Sequence, residues 1–211
     1  MPSHAFTRTI KRAVDIGVAS ALLVVALPAL LPAMAFVRIS LGAPVFFKQE
    51  RTGYAMRRFL IYKLRTMGPD RAPDGRQLPD GERCGRAGRF LRRWSIDELP
   101  QLVNILRGDL SLVGPRPLLP RYDPWYTPAE LARFTVRPGI TGLAQINGRN
   151  HLPWNERLAL DVRYVDEQSL WLDLRILART ARAALLGSGV ASDPSALMLD
   201  LDEERAPAWH R

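Results

Sequence analysis

Residues Ile16 to Val37 read IGVASALLVVALPALLPAMAFV, a run without a charged side chain. An α-helix needs roughly 20 apolar residues to cross the hydrocarbon core of a bilayer. The run therefore predicts a membrane helix, which we assign to an N-terminal membrane segment, residues 1–40. It is longer than the apolar core of a signal peptide and lacks a convincing cleavage site of small residues, so we do not expect it to be removed.

Two prolines, Pro28 and Pro32, lie inside this run. Each removes a backbone donor and crowds the carbonyl four residues earlier, so we expect the helix to break near Pro28. Lys11 and Arg12 precede the run and Arg38 follows it, and the positive-inside rule is satisfied at both ends if the segment enters and leaves by the cytoplasmic face. This favours a re-entrant helix, and a simple span that tolerates both prolines is the alternative.

Asp15 lies at the membrane edge, where an unpaired carboxylate is costly. Lys11 and Arg12 precede it by four and three residues, a helical spacing that brings cations to its side. We therefore expect Lys11, Arg12 and Asp15, together with the break at Pro28, to form the membrane anchor.

The rest of the chain divides into a catalytic domain, residues 41–187, and an acidic tail, residues 188–211. The chain has 211 residues and a formal charge of +9, which favours polyanionic partners such as nucleic acid, anionic lipid or a phosphorylated substrate. Cys84 is the only cysteine, which excludes an internal disulfide and a multi-cysteine zinc site. The tail lacks a helix-length periodic pattern, and we expect it to be disordered.

Periodicity and turn residues predict an α+β fold that is mainly helical. The segments 45–49 and 59–64 read as the strands of a small β-hairpin, and residues 68–88 read as a long surface loop. A helix is expected from Pro100 to Leu106 with Gly108 ending it, and only a short helix from Ala129 to Phe134.

Residues 154–186 have a helical pattern with an interruption near Ser169. In its second part Arg175, Arg179 and Arg182 share one face, and apolar residues supply another. The pattern predicts interfacial amphipathic helices that lie on a membrane with their arginines toward phosphates. A basic, solvated face over an ordinary core is the alternative.

The segment 91–101, LRRWSIDELPQ, sets Asp97 and Glu98 between arginines and Pro100. Ser95 and Glu98 match a capping box, which would make the carboxylates part of an ordinary helix start. Pro100 argues against that reading, because it would fall beyond the first turn, whereas a helix that begins at Pro100 accommodates it. The carboxylates then lie at or just before a helix N-terminus, which favours their ionised form and attracts phosphate.

An ionised aspartate can attack phosphorus, and the resulting acyl phosphate splits one transfer into two easier steps. Such chemistry needs neutralising charge close to the phosphates. The candidates for binding substrate phosphate are Lys63, Arg65, Arg92, Arg116 and Arg137. A Mg²⁺ ion held by Asp97 and Glu98 would serve the same purpose. No histidine-rich or multi-carboxylate cluster is visible, which disfavours a purely metal-based hydrolytic centre.

Six motifs follow one another between Lys11 and Leu186: KRAVD (11–15), PVFFKQER (44–51), YKLRTM (62–67), DELPQ (97–101), GPRP (114–117) and RPGITG (137–142). In these motifs the chain resembles the bacterial sugar transferases, specifically the minimal form of the monotopic phosphoglycosyl transferases. The resemblance implies that a nucleotide-diphosphate sugar gives its sugar 1-phosphate to polyprenol phosphate. It also implies a covalent phosphosugar on Asp97, support from Glu98, and Mg²⁺ as cofactor.

The resemblance further implies a place in the bacterial inner membrane, with a re-entrant helix in one leaflet and the catalytic domain at the cytoplasmic face. The reaction would be the first membrane step of glycoconjugate or exopolysaccharide synthesis. The segment 142–150 resembles one found in small members that often use acetamido sugars linked to UDP. The alternative is that its glycines and Asn147 only shape turns. The family commonly breaks its membrane helix at a Ser-Pro pair, whereas this chain has Leu27-Pro28, so the residue that fixes the bend stays open.

Two other functions fit parts of the pattern. A membrane-tethered protein that binds anions would explain the charge, but not the Asp-Glu pair beside proline. A hydrolase of lipid diphosphates would use water in place of polyprenol phosphate. Nucleic acid is not an expected partner, and the sequence leaves the sugar, the nucleotide and homo-oligomer formation open.

Overall fold

The computed structural model describes residues 4–69, 76, 83–148, 152–186 and 200–209. Its helices are α1 His4–Leu41, α2 Arg86–Arg93, α3 Gln101–Arg107, α4 Leu143–Ile146, α5 Trp154–Asp166, α6 Leu170–Leu185 and α7 Leu201–Trp209. Its strands are β1 Phe46–Thr52, β2 Arg58–Leu64, β3 Ser111–Val113 and β4 Gly139–Thr141. Short 3₁₀ turns cover Tyr54–Met56, Ile96–Glu98, Pro120–Trp125 and Glu130–Thr135. The described chain is mainly helical with little strand, as predicted.

The long helix α1 contains the uncharged run. Its segment Arg8–Leu41 is the one helix among the described residues that is long and apolar enough to cross a membrane. Helical structure continues through Pro28 and Pro32, so the predicted interruption is not seen as a gap in α1. The re-entrant path therefore stays a prediction.

One face of α1 packs against the domain along most of the helix. Its buried residues are three, four or eleven residues apart, and eleven residues make about three helical turns, so all of them lie on one face. They are Asp15, Ala19, Leu30, Ala33 and Val37. Large apolar side chains on the other faces are exposed, and Val24, Val25 and Ile39 reach 68%, 75% and 85%. A helix with one buried stripe and apolar side chains over the rest of its surface is suited to a lipid environment.

Strands β1 and β2 form the predicted hairpin, with antiparallel pairing that sets Phe47 opposite Lys63 and Arg51 opposite Phe59. Asn104 ties helix α3 to this hairpin. Its amide nitrogen donates to the carbonyl of Leu60 at 2.7 Å, and its oxygen accepts from the backbone N–H of Tyr62 at 3.2 Å. The hairpin is thereby fixed beside α3.

Strands β3 and β4 form a short parallel pair that the sequence analysis did not predict. The close approach depends on glycine. A Cβ atom at Gly114 would lie 2.3 Å from the carbonyl oxygen of Arg137, and one at Gly139 would lie 2.1 Å from the nitrogen of Gly114. Side chains at these positions would force the two strand ends apart.

Two predicted helix boundaries are confirmed by their caps. Gly108 ends α3 in the left-handed conformation, with φ 96°, which costs glycine little. Ser169 begins α6, because its hydroxyl accepts from the backbone N–H of Leu172 at 3.2 Å. Within α6, Ile176 is buried whereas Trp171 and Leu174 are 65% and 57% exposed.

Two expectations about the catalytic domain and tail need correction. Helix α2 begins at Arg86, inside the stretch expected to be a loop. Residues 200–209 of the tail expected to be disordered contain helix α7, and the rest of the tail lies outside the described residues. Leu201 is completely buried in a cluster with Tyr122 and Leu158, so packing supplies the stability that the helix pattern alone does not indicate.

Candidate active site

The chain between α2 and α3 places the two predicted catalytic carboxylates. Ser95 turns the chain with φ 53°, and its side chain makes no capping bond, so the capping-box interpretation is wrong. Asp97 and Glu98 follow in a 3₁₀ turn, and α3 begins at Gln101, directly after Pro100. The alternative prediction, a helix that begins at Pro100, agrees with the structure to within one residue. The carboxylates precede its N-terminus.

Helix α2 brings Arg92 to this turn. A Cβ atom at Gly88 would lie 1.9 Å from the carbonyl oxygen of Thr66, so only glycine lets α2 approach the end of β2 so closely. Arg92 donates from Nε to the Thr66 hydroxyl at 2.9 Å. Its charge lies near enough to Asp97 to favour the ionised carboxylate.

Lys63 and Glu98 form a short ion pair in the site. Lys63 Nζ lies 2.5 Å from Glu98 Oε1, and Arg116 Nη2 lies 3.8 Å from the same oxygen. Burial lowers the pKa of Lys63, and the adjacent Glu98 carboxylate opposes that change. Glu98 is therefore held between two cations.

Asp97 differs from its neighbour in its surroundings. Only 7% of its surface is exposed, and no hydrogen bond joins its carboxylate to another side chain within the described part of the chain. Burial and the charge of Glu98 raise its pKa, while Lys63 and Arg92 lower it. A carboxylate that is ionised but weakly solvated is a better nucleophile than one saturated with hydrogen bonds.

The loop after β3 positions Arg116. Gly114 donates its backbone N–H to Thr141 at 2.9 Å, and Gly139 donates to the carbonyl of Pro115 at 3.0 Å. The carbonyl of Arg116 accepts from the buried Arg133 at 2.6 Å. With its backbone fixed in this way, the Arg116 side chain projects beside Glu98 and remains 47% exposed.

Two predicted phosphate-binding residues have other contacts. Arg65 donates to the carbonyls of Leu41, Gly42 and Ala43, where it caps the end of α1. Arg137 donates to the carbonyl of Gly108 at 3.0 Å, at the far end of α3 from Asp97. A seven-residue helix is about 10 Å long, so Arg137 lies well away from the carboxylates. The structure brings together Lys63, Arg92 and Arg116, and these contacts do not support a phosphate-binding role for Arg65 or Arg137.

Arg51 on β1 is a residue that the candidate set missed. Its Nη1 donates to the carbonyl of Pro117 at 3.3 Å, next to Arg116. Burial and the charge of Arg116 lower the pKa of Arg51 to about 10. Arg51 belongs to the family motif of residues 44–51, but it is far from Arg116 in sequence. The sequence therefore did not indicate that the two arginines lie close together.

The predicted anchor residues tie α1 to the domain. Lys11 Nζ lies 3.9 Å from Asp15 and 2.5 Å from Asp173 on α6. The buried carboxylate of Asp15 accepts from the backbone N–H of Leu112 at 3.2 Å. Arg12 does not pair with Asp15 as expected but donates to the carbonyls of Ile105 and Leu106, the last carbonyls of α3.

Asp97 and Glu98 are the carboxylates available to Mg²⁺ at this site. No group of three or more His, Cys, Asp or Glu side chains suited to a metal occurs among the residues that the structure describes. Mg²⁺ commonly takes one or two carboxylates and completes its shell with substrate phosphates and water. Asp97 and Glu98 are therefore suited to a Mg²⁺ ion that binds together with the substrate, and they do not form a preformed protein cage for the ion.

The chain is similar to known proteins of one family. The model of a family described as "Bacterial sugar transferase" matches residues 6–187. The "Uncharacterized sugar transferase EpsL" of Bacillus subtilis is 50% identical over 86% of this chain and 90% of its own. The "UDP-glucose:undecaprenyl-phosphate glucose-1-phosphate transferase" of Caulobacter vibrioides is 42% identical over 83% of this chain and 69% of its own. The "UDP-N-acetylgalactosamine-undecaprenyl-phosphate N-acetylgalactosaminephosphotransferase" of Aeromonas hydrophila is 38% identical over 89% of this chain and 46% of its own. This chain belongs to the bacterial sugar transferase family.

Proposed function

We propose that the protein transfers a sugar 1-phosphate from a UDP-linked sugar to polyprenol phosphate at the cytoplasmic face of the bacterial inner membrane. The observation that carries the proposal is the buried Asp97 carboxylate beside a Glu98 that Lys63 neutralises. The names of two relatives, each of which includes a UDP-sugar and undecaprenyl phosphate, support the donor and acceptor classes. The product would be the first lipid-linked intermediate of an exopolysaccharide or glycoconjugate.

In the first half of the reaction, Asp97 attacks the β-phosphorus of the nucleotide-diphosphate sugar. A carboxylate oxygen bonds to phosphorus as the bond to the bridging oxygen breaks, and the nucleoside monophosphate leaves. Lys63, Arg92 and Arg116 stabilise the charge that spreads over the phosphoryl oxygens. Glu98 holds Lys63 and Arg116 in place through the contacts given above.

In the second half, the phosphate of polyprenol phosphate attacks the phosphosugar on Asp97. The aspartyl bond breaks and the free carboxylate is restored, so one nucleophile serves both steps. Asp97 and Glu98 would hold Mg²⁺ together with the substrate phosphates. When bound, the ion supplies charge neutralisation for the diphosphate.

The contacts of α1 support a membrane segment that enters and leaves on one side. Near the start of α1, Arg12 donates to carbonyls at the end of α3, and at the other end Arg65 donates to the carbonyls of Leu41 and Gly42. A helix that crosses the bilayer separates its ends by about 30 Å of hydrocarbon. A charged domain cannot follow it through that layer, so two ends joined to one domain favour the re-entrant form.

Helix α6 would supply a second contact with the membrane. Trp171 and Leu174 are exposed beside Arg175, whose guanidinium lies 5.9 Å from the Trp171 ring centre. An exposed aromatic and apolar stripe next to arginines suits the lipid headgroup region. The arrangement would keep the active site close to the acceptor lipid.

The test is an assay on the purified protein in lipid nanodiscs with a panel of nucleotide sugars. We expect UMP release without an acceptor up to about one equivalent, a trapped phosphosugar on Asp97, and full turnover after polyprenol phosphate is added. Turnover with water alone would replace the proposal with a hydrolase. No UMP release from any UDP-sugar would refute the UDP-dependent transfer.

A further inference from the structure

Arg51 faces the same side of the hairpin as Lys63. In antiparallel pairs, directly opposed residues share a face, and so do residues two apart on one strand. Arg51 opposes Phe59, and Phe59, Ile61 and Lys63 alternate along β2. Arg51 and Lys63 therefore project from the same face of the hairpin. Arg116 shares the Glu98 oxygen that Lys63 contacts, and Arg51 donates to the carbonyl of Pro117, the residue after Arg116.

The guanidinium of Arg51 has unused donors. Nη1 donates to Pro117 at 3.3 Å and Nη2 donates to Gln49 at 2.6 Å, whereas the buried Nε has no acceptor among the described residues. A guanidinium carries five N–H groups. A buried donor without an acceptor is unfavourable, and in an enzyme it often indicates a group that binds a ligand.

Positive charge is concentrated around these residues in the described part of the chain. Lys63, Arg92 and Arg116 lie near the carboxylates of Asp97 and Glu98, and Arg51 lies near Arg116. Neighbouring carboxylates are already paired, Asp123 with Arg58 at 2.6 Å and Asp161 with Arg133 at 2.9 Å. Repulsion from Arg116 adds to the burial that lowers the pKa of Arg51, so an anion between them would be stabilised.

We infer that Arg51 and Arg116 form a subsite for phosphate monoesters, occupied first by the leaving nucleoside monophosphate and then by polyprenol phosphate. The inference rests on the proposed transfer reaction. Displacement at phosphorus is in line, so the leaving phosphate departs opposite Asp97. The acceptor must attack the phosphosugar from that same side, because it bonds to phosphorus as the bond to Asp97 breaks. One anion subsite therefore serves both half-reactions.

The test compares Arg51→Gln, Arg51→Lys and the control Arg57→Gln in nanodiscs. Arg57 is an exposed arginine on the same hairpin, and within the described part of the chain no hydrogen bond or ion pair joins its side chain to the site residues given above. Titration calorimetry measures the affinity for UMP and for uridine. Rapid-mixing assays measure the first half-reaction as UMP release, and the second as the loss of preformed phosphosugar after polyprenol phosphate is added.

We expect Arg51→Gln to weaken UMP binding and to slow both half-reactions by about tenfold or more, because a charge-assisted contact is lost. Affinity for uridine should stay unchanged, and Arg57→Gln should resemble the wild type. Arg51→Lys keeps the positive charge, so its UMP affinity and its half-reaction rates should lie between those of Arg51→Gln and the wild type. If Arg51→Gln does not fold, Arg51→Lys serves as the test variant.

Equal loss of UMP and uridine affinity would assign Arg51 a structural role through Pro117, and wild-type UMP affinity in Arg51→Gln would also overturn the subsite. If Arg51→Gln slows the first half-reaction but not the second, Arg51 binds only the donor, and the shared subsite is refuted. Each of these outcomes leaves the transfer reaction intact. Absence of UMP release from the wild-type protein would instead refute the proposed function.

Discussion

Lys63 donates to Glu98 with its Nζ 2.5 Å from Oε1, whereas the adjacent Asp97 carboxylate makes no hydrogen bond to another side chain in the described part of the chain. Two neighbouring carboxylates thus have different environments. Glu98 is neutralised by a cation from the hairpin, and Asp97 is buried near Arg92, whose charge lowers the pKa of Asp97. In the proposed reaction this difference would let Asp97 act as nucleophile while Glu98 organises charge.

This division of roles predicts unequal effects for two conservative substitutions. Asp97→Asn should abolish formation of the phosphosugar, a loss of about 10³-fold or more, because the nucleophile is removed. Glu98→Gln should retain slow phosphosugar formation, because Asp97 remains. Single-turnover UMP release measures both. Phosphosugar formation by Asp97→Asn at the wild-type rate would contradict the assignment.

The environment of Asp97 also predicts a pH-dependent gain in stability. Burial and Glu98 raise its pKa above the ordinary value of 3.8, so the ionised form weakens the folded state at neutral pH. Asp97→Asn should therefore unfold at a higher temperature than the wild type at pH 7 without Mg²⁺. The difference should shrink as the pH falls through the raised pKa and should vanish well below pH 3.8, where Asp97 is protonated in both the folded and the unfolded state.

Glu98→Gln is the control for this effect. It leaves the partly buried ammonium of Lys63 without its carboxylate partner, so it should lower the melting temperature at pH 7. Stabilisation by Glu98→Gln, or no stabilisation by Asp97→Asn, would show that the two environments do not differ as described.

The buried pair of Arg133 and Asp161 supports the Arg116 loop. The two side chains are 2% and 4% exposed, and Nη2 of Arg133 lies 2.9 Å from Asp161 Oδ2. Burial raises the pKa of Asp161 to about 6, although Arg133 opposes the change. Arg133→Met leaves this carboxylate buried and unpaired, so we expect a loss of about 3–5 kcal/mol in unfolding free energy.

Adding Asp161→Asn to Arg133→Met should recover part of that loss, because no buried charge remains. Chemical denaturation of the wild type, both single variants and the double variant completes the cycle. Additive losses in the double variant would mean that the pair is not coupled.

The docking of α7 predicts that the C-terminal helix contributes to stability. Leu201 is completely buried, and Arg205 forms a bidentate pair with Glu130 at 2.7 and 2.8 Å. Leu201→Ala should cost about 2–5 kcal/mol in unfolding free energy. Leu131→Ala, at a side chain that is 39% exposed, should cost much less. Equal effects of the two substitutions would mean that α7 does not pack as described.

The membrane topology can be tested by cysteine labelling. Ser3→Cys and Ser40→Cys, each in a Cys84→Ala background, flank the uncharged run. A membrane-impermeant maleimide should reach both only from the cytoplasmic side, because both ends of the segment lie on that side in the re-entrant form. Labelling from opposite faces would establish a spanning helix.

Local signals in the sequence predicted several elements well. The hairpin, the end of α3 at Gly108 and the break before α6 depend on residues close to one another in the chain. Helix α2 was missed because its short basic pattern lies in a stretch rich in glycine and charge. Helix α7 was missed because its buried contacts come from Tyr122 and Leu158, far away in sequence.

The sequence by itself determined that an uncharged helix precedes a basic domain, that Asp97 and Glu98 precede a helix that begins beside Pro100, and which family motifs are present. Periodicity, proline geometry and glycine conformations act over a few residues, so they can be read without a fold. Only the tertiary structure decided which cations meet the carboxylates. Lys63 and Arg116 reach Glu98 from a strand and from a glycine-dependent loop, while Arg65 and Arg137 bind backbone carbonyls elsewhere. Charge alone does not distinguish these arginines, because their partners are brought near by contacts between distant parts of the chain.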